Sequence, residues 1–419
     1  VNKNTVTLQE RCFLIGLILP EQNKSIIDEH LKELKSLTET AGAKVIDTII
    51  QEREQPNSAY YIGRGKAEEI AIRVKIENID MIIFDDELKP AQVKNLEQTL
   101  DTKVIDRTGL ILDIFAAHAR TREAKTQVEL AQLNYHLPRL TGQWLHLSRQ
   151  VGGIGTKGPG ETQLETDRRL VYHRIVQLKK ELKKIEQQSN IQRKQQKKFI
   201  LASLVGYTNA GKSTIMNALT NANILVEDKL FATLDTTTRK LELNQCFPIL
   251  LSDTVGFIRK LPYHLIASFR TTLAQTIEAD ILLHVVDLSD PMYEEHIHIV
   301  DNILADLNID NKPTLVLFNK VDRIQDDGIL HQAQNKYPNA IFISAKKKIR
   351  LERVKNMIYE QVKNHYIDKD LSLRYDQSHM IYKISEISYI LDKSFLENKI
   401  QLKIRIAKEN ERKLLNLLN

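Results

Sequence analysis

Gly206-Tyr207-Thr208-Asn209-Ala210-Gly211-Lys212-Ser213, with Thr214 after it, is the stretch on which the fold turns. The apolar run Phe199–Val205 precedes it and the run Thr214–Leu219 begins a helix pattern, so a strand, a glycine-rich turn and a helix are predicted in succession. A turn of this kind wraps backbone N–H groups around a β-phosphate and sets the positive end of a helix behind them. Lys212 is then placed to reach the β- and γ-phosphates, and the Ser213 hydroxyl to ligate Mg²⁺. Asn209 brings a side-chain amide into the same loop, where it either caps the turn or helps to hold a potassium ion between phosphates.

Three further motifs follow in order. Asp253-Thr254-Val255-Gly256 comes after the apolar strand candidate Phe247–Leu251. Asp253 is placed to hold Mg²⁺ through a water, and the Gly256 N–H to bond a γ-phosphate and let go on hydrolysis. Asn319-Lys320-Val321-Asp322 closes the strand candidate Thr314–Phe318, and Ser344-Ala345-Lys346 follows Ala340–Ile343. Guanine offers N1–H and N2–H₂ side by side, which suits the two oxygens of the Asp322 carboxylate; adenine has no such pair of donors. Asn319 can steady the loop and bond N7, the Lys320 stem can cover the base, and the Ala345 N–H can meet O6. A threonine between the P-loop and Asp253 must also reach Mg²⁺, and Thr233, Thr236, Thr237 and Thr238 are all candidates by residue type. Phe257 stands where many GTPases carry a glutamine that orients the attacking water, so another group or a partner must supply that function.

The rest of the chain is read outward from this site. Its 419 residues have room for about two to four domains, and 42% apolar with 27% charged residues fits a globular protein. Two cysteines, Cys12 and Cys246, make no disulfide framework, and a cytoplasmic setting is expected. No stretch approaches about 18 uninterrupted apolar residues, so no membrane span is expected, and Phe13–Leu19 lacks the flanks of a signal peptide. Loose association with a membrane stays open; a monomer is the expectation. The net charge of +6 is concentrated from Ala116 to Lys198, with 17 Lys and Arg against 7 Asp and Glu. That excess is either a solvated helical face or a surface for a polyanion such as RNA.

Residues 1–110 alternate strand candidates (Cys12–Leu19, Lys44–Ile50, Met81–Phe84, Lys103–Ile105) with helix candidates (Ser25–Thr40, Ala67–Glu77, Pro90–Leu100), which implies a parallel sheet covered by helices. Residues 111–198 carry two heptad-like stripes. One is Leu130, Leu133, Leu137, Leu140, Trp144 and Leu147, with a kink expected at Pro138; the other is Val171, Ile175, Leu178, Leu182 and Ile185. Between them, residues 152–160 hold five of the 15 glycines, so an antiparallel helical hairpin with a glycine-rich tip is expected. Residues 199–366 form the P-loop domain. Residues 367–419 form a small α/β domain with strand candidates Met380–Ile384 and Ile400–Ile406 and a helix candidate Asn410–Leu418. The expected class is α/β throughout. Gly63-Arg64-Gly65-Lys66 stays open between a tight turn, an RNA contact and a second nucleotide site.

With these motifs in place, nearly the whole chain resembles the HflX family of GTPases. The specific matches are Tyr61-Ile-Gly63-Arg-Gly65-Lys66, Asp106-Arg107-Thr108, Ala119-Arg-Thr-Arg with Gln127-Val-Glu-Leu-Ala-Gln132, Gly152-Gly-Ile-Gly, and Gly158-Pro-Gly-Glu161-Thr-Gln-Leu-Glu165-Thr-Asp167-Arg-Arg169. The set is completed by Phe231-Ala232-Thr233-Leu234-Asp235, with Thr236 standing where the family usually has proline. The resemblance aligns Thr233 with the Mg²⁺-binding threonine, makes Lys212, Thr233 and Gly256 the catalytic set, and makes a hydrophobic residue such as Phe257 ordinary at its position. It implies GTP hydrolysis to GDP, binding to the large (50S) ribosomal subunit, and splitting or rescue of stalled or idle ribosomes under stress. Arg149, Lys157, Arg168 and Arg169 are the candidate rRNA contacts, and the hairpin tip is expected to probe the ribosome's catalytic centre. Two other readings share the chain: a nucleotide-switched module that keeps subunits apart by occupancy, and an ATP-dependent RNA-remodelling activity in the amino-terminal half.

Overall fold

Strand β1, Arg11–Ile18, is buried from Cys12 through Ile18 without a break, as a parallel-sheet strand covered on both faces must be. The computed structural model describes residues 9–141, 163–196, 199–220, 230–231, 236–243, 249–260, 274–363, 366–396 and 398–418. The chain divides into two units, residues 1–184 with 228–234 and 260–270, and residues 185–227 with 235–259 and 271–419.

In the first unit, β1 is followed by α1 (Lys24–Thr40), β2 (Lys44–Glu52), α2 (Arg64–Glu77), β3 (Met81–Phe84), α3 (Pro90–Leu100) and β4 (Lys103–Asp106). The sheet order is β2-β1-β3-β4 and every pairing is parallel. Asp106 ends β4 and caps α4 (Arg107–His118), its Oδ1 accepting from Gly109 N–H at 2.9 Å and from the Tyr135 hydroxyl at 2.7 Å. Its Oδ2 accepts from Leu88 N–H and from Arg139, each at 3.0 Å. Arg107, 1% exposed, pairs with Asp85 at 2.7 Å and with Glu33. The Asp106-Arg107-Thr108 motif therefore builds the interior of this unit. Lys260 belongs to the same unit and its ammonium lies 2.6 Å from both Asp85 and Asp86.

Helix α5 (Arg122–His136) is capped by Thr121 and ends one residue before a 3₁₀ turn, Leu137–Thr141, that contains Pro138; proline stops the α-helix by removing a donor. Helix α6 spans Gln163–Gln196. Leu130 packs with Ile175 and Leu178, and the ion pairs Arg122–Glu181 and Arg174–Glu129 fix an antiparallel register. The expected continuation of the first stripe through Trp144 and Leu147 and the glycine-rich tip lie outside the described residues.

The second unit holds β5 (Leu201–Gly206), α7 (Lys212–Thr220), β6 (Thr237–Leu241), β7 (Ile249–Asp253), α8 (Ala274–Glu278), β8 (Ile281–Asp287) and α9 (Tyr293–Asp306). After them come β9 (Thr314–Asn319), α10 (Asp327–Lys336), β10 (Ile341–Phe342) and α11 (Leu351–Val362). The sheet order is β10-β9-β8-β5-β7-β6, parallel except for the antiparallel β6–β7 edge.

A separate antiparallel sheet, β11 (Tyr366–Leu373), β13 (Lys399–Ala407) and β12 (Ser388–Leu396) in that order, carries α12 (Met380–Ile387) and α13 (Glu411–Leu418). Here one expectation fails: Met380–Ile384 is helix, not strand. Met380, Ile381, Ile384 and Ile387 all join the core of this sheet, a helical spacing that a five-residue apolar run cannot declare.

Candidate nucleotide site

The P-loop lies between β5 and α7 because its residues can make a turn that others cannot. Gly211 has φ +95°, and a Cβ there would sit 2.3 Å from Asn319 Nδ2. Asn209 takes φ +57°, a left-handed conformation that asparagine tolerates better than most residues. Thr208 and Ala210 are buried with the loop, and Thr214 stands in the first turn of α7.

Lys212 is 6% exposed, and its ammonium donates to the carbonyls of Gly206 at 3.1 Å and Tyr207 at 2.8 Å. Burial pushes its pKa down to about 8, with Asp253 opposing that shift and Lys320 adding to it. His284 on β8 pairs in register with Val205. Burial, with a smaller push from Lys212, lowers its pKa to about 4, so the ring is neutral and adds no second charge to this interior.

The Ser213 hydroxyl donates to Asp253 Oδ2 at 2.6 Å, and Asp253 is fully buried at the end of β7. A hydroxyl and a carboxylate oxygen in contact beside the phosphate loop are hard donors that suit Mg²⁺, which keeps waters and substrate oxygens for its other positions. Among the described residues no group of three or more acidic, histidine or cysteine side chains could hold a metal ion by itself. Thr233, with Ala232, Leu234 and Asp235, lies outside the described residues; Phe231 is buried in the first unit against Phe115, ring centroids 4.7 Å apart. Of the other threonine candidates, Thr237 and Thr238 fall in β6, where Thr238 Oγ1 donates to Gln275 at 3.0 Å.

Thr254 bonds its hydroxyl to the Leu204 carbonyl at 2.7 Å, which ties this segment to β5. Past Val255, Gly256 approaches the P-loop so closely that a Cβ would sit 2.7 Å from Thr208 Cα. Phe257 is 2% exposed; its N–H donates to Gly206 O at 3.1 Å and its carbonyl accepts from Thr208 N–H at 2.7 Å.

At the base end, Asn319 is 2% exposed and joins two loops: Nδ2 donates to Ala210 O at 2.9 Å and Oδ1 accepts from Ala345 N–H at 3.0 Å. Asn319 thus steadies the loop, and the Ala345 N–H expected at guanine O6 is directed to Asn319 here. Val321 opens a short 3₁₀ turn after Lys320, whose φ is +63° and whose ammonium pairs with Asp287 at 2.7 Å. Asp322 accepts from the Ser344 hydroxyl at 2.5 Å, and that hydrogen bond, ahead of smaller effects, holds its pKa below the ordinary carboxylate value. An ionised carboxylate at the mouth of the base loop can take two donors from a purine. Lys346 follows Ala345 at the exposed edge of the same loop.

Arg168 and Arg169 are exposed on α6, while Arg149 and Lys157 lie outside the described residues. Gly63 caps α2 and its N–H donates to Gln51 at 2.8 Å, while Arg64 and Lys66 pair with Glu68 and Glu69. Those contacts favour the structural turn among the three options for this segment. Tyr207 is a candidate from sequence only as a member of the phosphate loop, with no role for the side chain that stacks on His296, and Asp287 is in no candidate set. The only signal for the first was an aromatic residue in a loop otherwise made of small ones.

A parallel sheet that turns through a glycine-rich loop into α7, with base-loop motifs at the carboxyl ends of β9 and β10, defines a P-loop GTPase. Three family profiles match in succession: GTP-binding GTPase N-terminal over residues 28–116, GTP-binding GTPase Middle Region over 118–196, and 50S ribosome-binding GTPase over 201–320. The GTPase HflX of Flavobacterium psychrophilum is 46% identical over 88% of this chain and 94% of its own length. That of Caldanaerobacter subterraneus is 43% identical over 98% and 94%, and that of Escherichia coli 41% identical over 92% of each. A solved GTP-binding protein from Sulfolobus solfataricus in complex with GDP is 27% identical, covers 85% of this chain and 99% of its own, and has a TM-score of 0.44. The chain belongs to the HflX GTPase family, and it is an enzyme that hydrolyses GTP.

Proposed function

We propose that this GTPase binds the large ribosomal subunit through rRNA, in the cytoplasm, and couples GTP hydrolysis there to splitting or rescue of stalled or idle ribosomes. The observation that carries the proposal is the match of residues 201–320 to the 50S ribosome-binding GTPase profile. The charge of α6 supports it: Arg168, Arg169, Lys179, Lys180, Lys183 and Lys184 are all exposed, a cationic helix face suited to a phosphate backbone. Arg149, just before the glycine-rich segment at 152–160, and Lys157, within it, are the further candidate RNA contacts.

In this reading Gly206 to Thr214 cradle the phosphates and Lys212 neutralises charge on the β- and γ-oxygens. Ser213, Asp253 through a water and, by family resemblance, Thr233 would hold Mg²⁺, which would neutralise phosphate charge. Gly256 bonds the γ-phosphate by its N–H and lets go after hydrolysis. Asp322 selects guanine, with Asn319 bracing the loop between Ala210 and Ala345. Asn209 offers an amide oxygen for a potassium ion at the phosphates. The GTP-bound arrangement favours the ribosome and hydrolysis resets it.

Co-sedimentation with purified large subunits tests this proposal. Association should be strong with a non-hydrolysable GTP analogue and weak with GDP or no nucleotide. Association that ignores the nucleotide, or none with any of them, would remove the proposal.

A further inference from the structure

Tyr207 reaches three places from one position in the P-loop, all within the second unit. Its ring stacks on His296 of α9, with centroids 3.8 Å apart and planes 10° from parallel. Its hydroxyl accepts the backbone N–H of Arg259 at 3.0 Å, a buried hydrogen bond. Its carbonyl accepts from the Lys212 ammonium at 2.8 Å. The residues on either side bond the same neighbouring segment through their backbones, Gly206 O to Phe257 N–H and Thr208 N–H to Phe257 O. Beyond them, the Arg259 guanidinium lies 3.3 Å from Glu295, the residue before His296 on α9.

These contacts hold the Gly256–Arg259 segment down on the phosphate loop. Two backbone hydrogen bonds at Phe257 fix one end and the Tyr207 hydroxyl fixes the other. Gly256 sits inside that span, next to Thr208 Cα and Lys212 Nζ, where a γ-phosphate would meet its N–H. A phenylalanine at 207 would keep the stack on His296 but strip the buried Arg259 N–H of its acceptor.

We infer that Tyr207 is a positioning residue for GTP hydrolysis: its hydroxyl seats the Gly256–Arg259 segment over the phosphate loop and so sets the place of the γ-phosphate sensor. The stack on His296 aims the hydroxyl, because a ring packed between the loop and α9 has little freedom to turn. The segment's seat matters only to a nucleotide that has a γ-phosphate, so GDP is indifferent to it.

The test is Tyr207→Phe in the full chain, with equilibrium binding of GDP and of a non-hydrolysable GTP analogue measured alongside kcat and KM. GDP affinity should stay within about twofold of the parent. Affinity for the GTP analogue should fall about threefold to tenfold, the range one neutral hydrogen bond supplies, and kcat should fall with it. Tyr207→Leu, which also loses the stack, should enlarge the gap between the two nucleotides; if it does not fold, Tyr207→Phe decides alone, and its GDP binding shows that the loop is intact. An equal loss for both nucleotides would make the tyrosine a structural part of the loop, and no loss for either would mean that its hydroxyl positions nothing; each result overturns the inference. The inference rests on GTP use at this pocket. That premise fails separately, if the parent protein binds neither nucleotide.

Discussion

Raising the pH from 7 to 8.5 should strip the proton from most Lys212 side chains in nucleotide-free protein and weaken GTP binding by a calculable amount. Lys212 is 6% exposed and its pKa is pushed down to about 8, chiefly by burial. At that value about nine-tenths of the side chains are charged at pH 7, half at pH 8 and roughly a quarter at pH 8.5. A bound triphosphate sets negative charge against the ammonium and returns its pKa towards the ordinary lysine value of about 10.4. Between pH 8 and 10 the bound state therefore holds more protons than the free state, so binding takes up protons and affinity falls as pH rises. From pH 7 to 8.5 the loss is about fourfold, or about 0.8 kcal/mol, with roughly half a proton taken up per nucleotide at pH 8. Calorimetric titration in buffers of different ionisation enthalpy reads both quantities. Lys212→Arg keeps its charge throughout and should show no proton uptake from this position, even where it binds more weakly. Proton release by the parent, or an affinity flat across this window, would exclude a lowered Lys212 pKa in this pocket.

Asn319→Ala removes the brace between Ala210 and Ala345 and leaves buried polar groups without partners, so GDP and GTP affinities should fall together by about tenfold or more. Equal losses set this variant apart from Tyr207→Phe, and parallel titrations with the two nucleotides would show them. Arg107→Ala removes the buried guanidinium that pairs with Asp85 and Glu33, leaving Lys260 beside Asp85, and should cost about 3–5 kcal/mol of stability, read by chemical denaturation.

Much of this fold announces itself in local pattern. Met81–Phe84 and Pro90–Leu100 begin and end where their apolar runs and the N1 proline say they should, because a buried strand and a capped helix are both local events. The strand-turn-helix around Lys212 is legible for the same reason: Gly206 and Gly211 take positive φ, which is a local demand of the backbone. Met380–Ile384 misleads because five apolar residues fit either period, and only packing on β13 decides for helix. Strands β11 and β12 pass unnoticed because their polar faces interrupt the apolar pattern. Contacts across large sequence separations leave no trace in pattern at all. Tyr207 meets Arg259 and His296 only after β5, the segment after β7, and α9 have come together, and Asp106 gathers Leu88, Tyr135 and Arg139 in the same way.

Guanine recognition stands or falls on the base preference of Asp322→Asn. The carboxylate accepts two donors from guanine, whereas an amide presents a donor where guanine also has one and xanthine has an oxygen. The variant should lose GTP turnover and gain turnover of xanthosine triphosphate. Undiminished hydrolysis of GTP by the variant, with no gain for xanthosine triphosphate, would contradict the claim that this pocket reads the base.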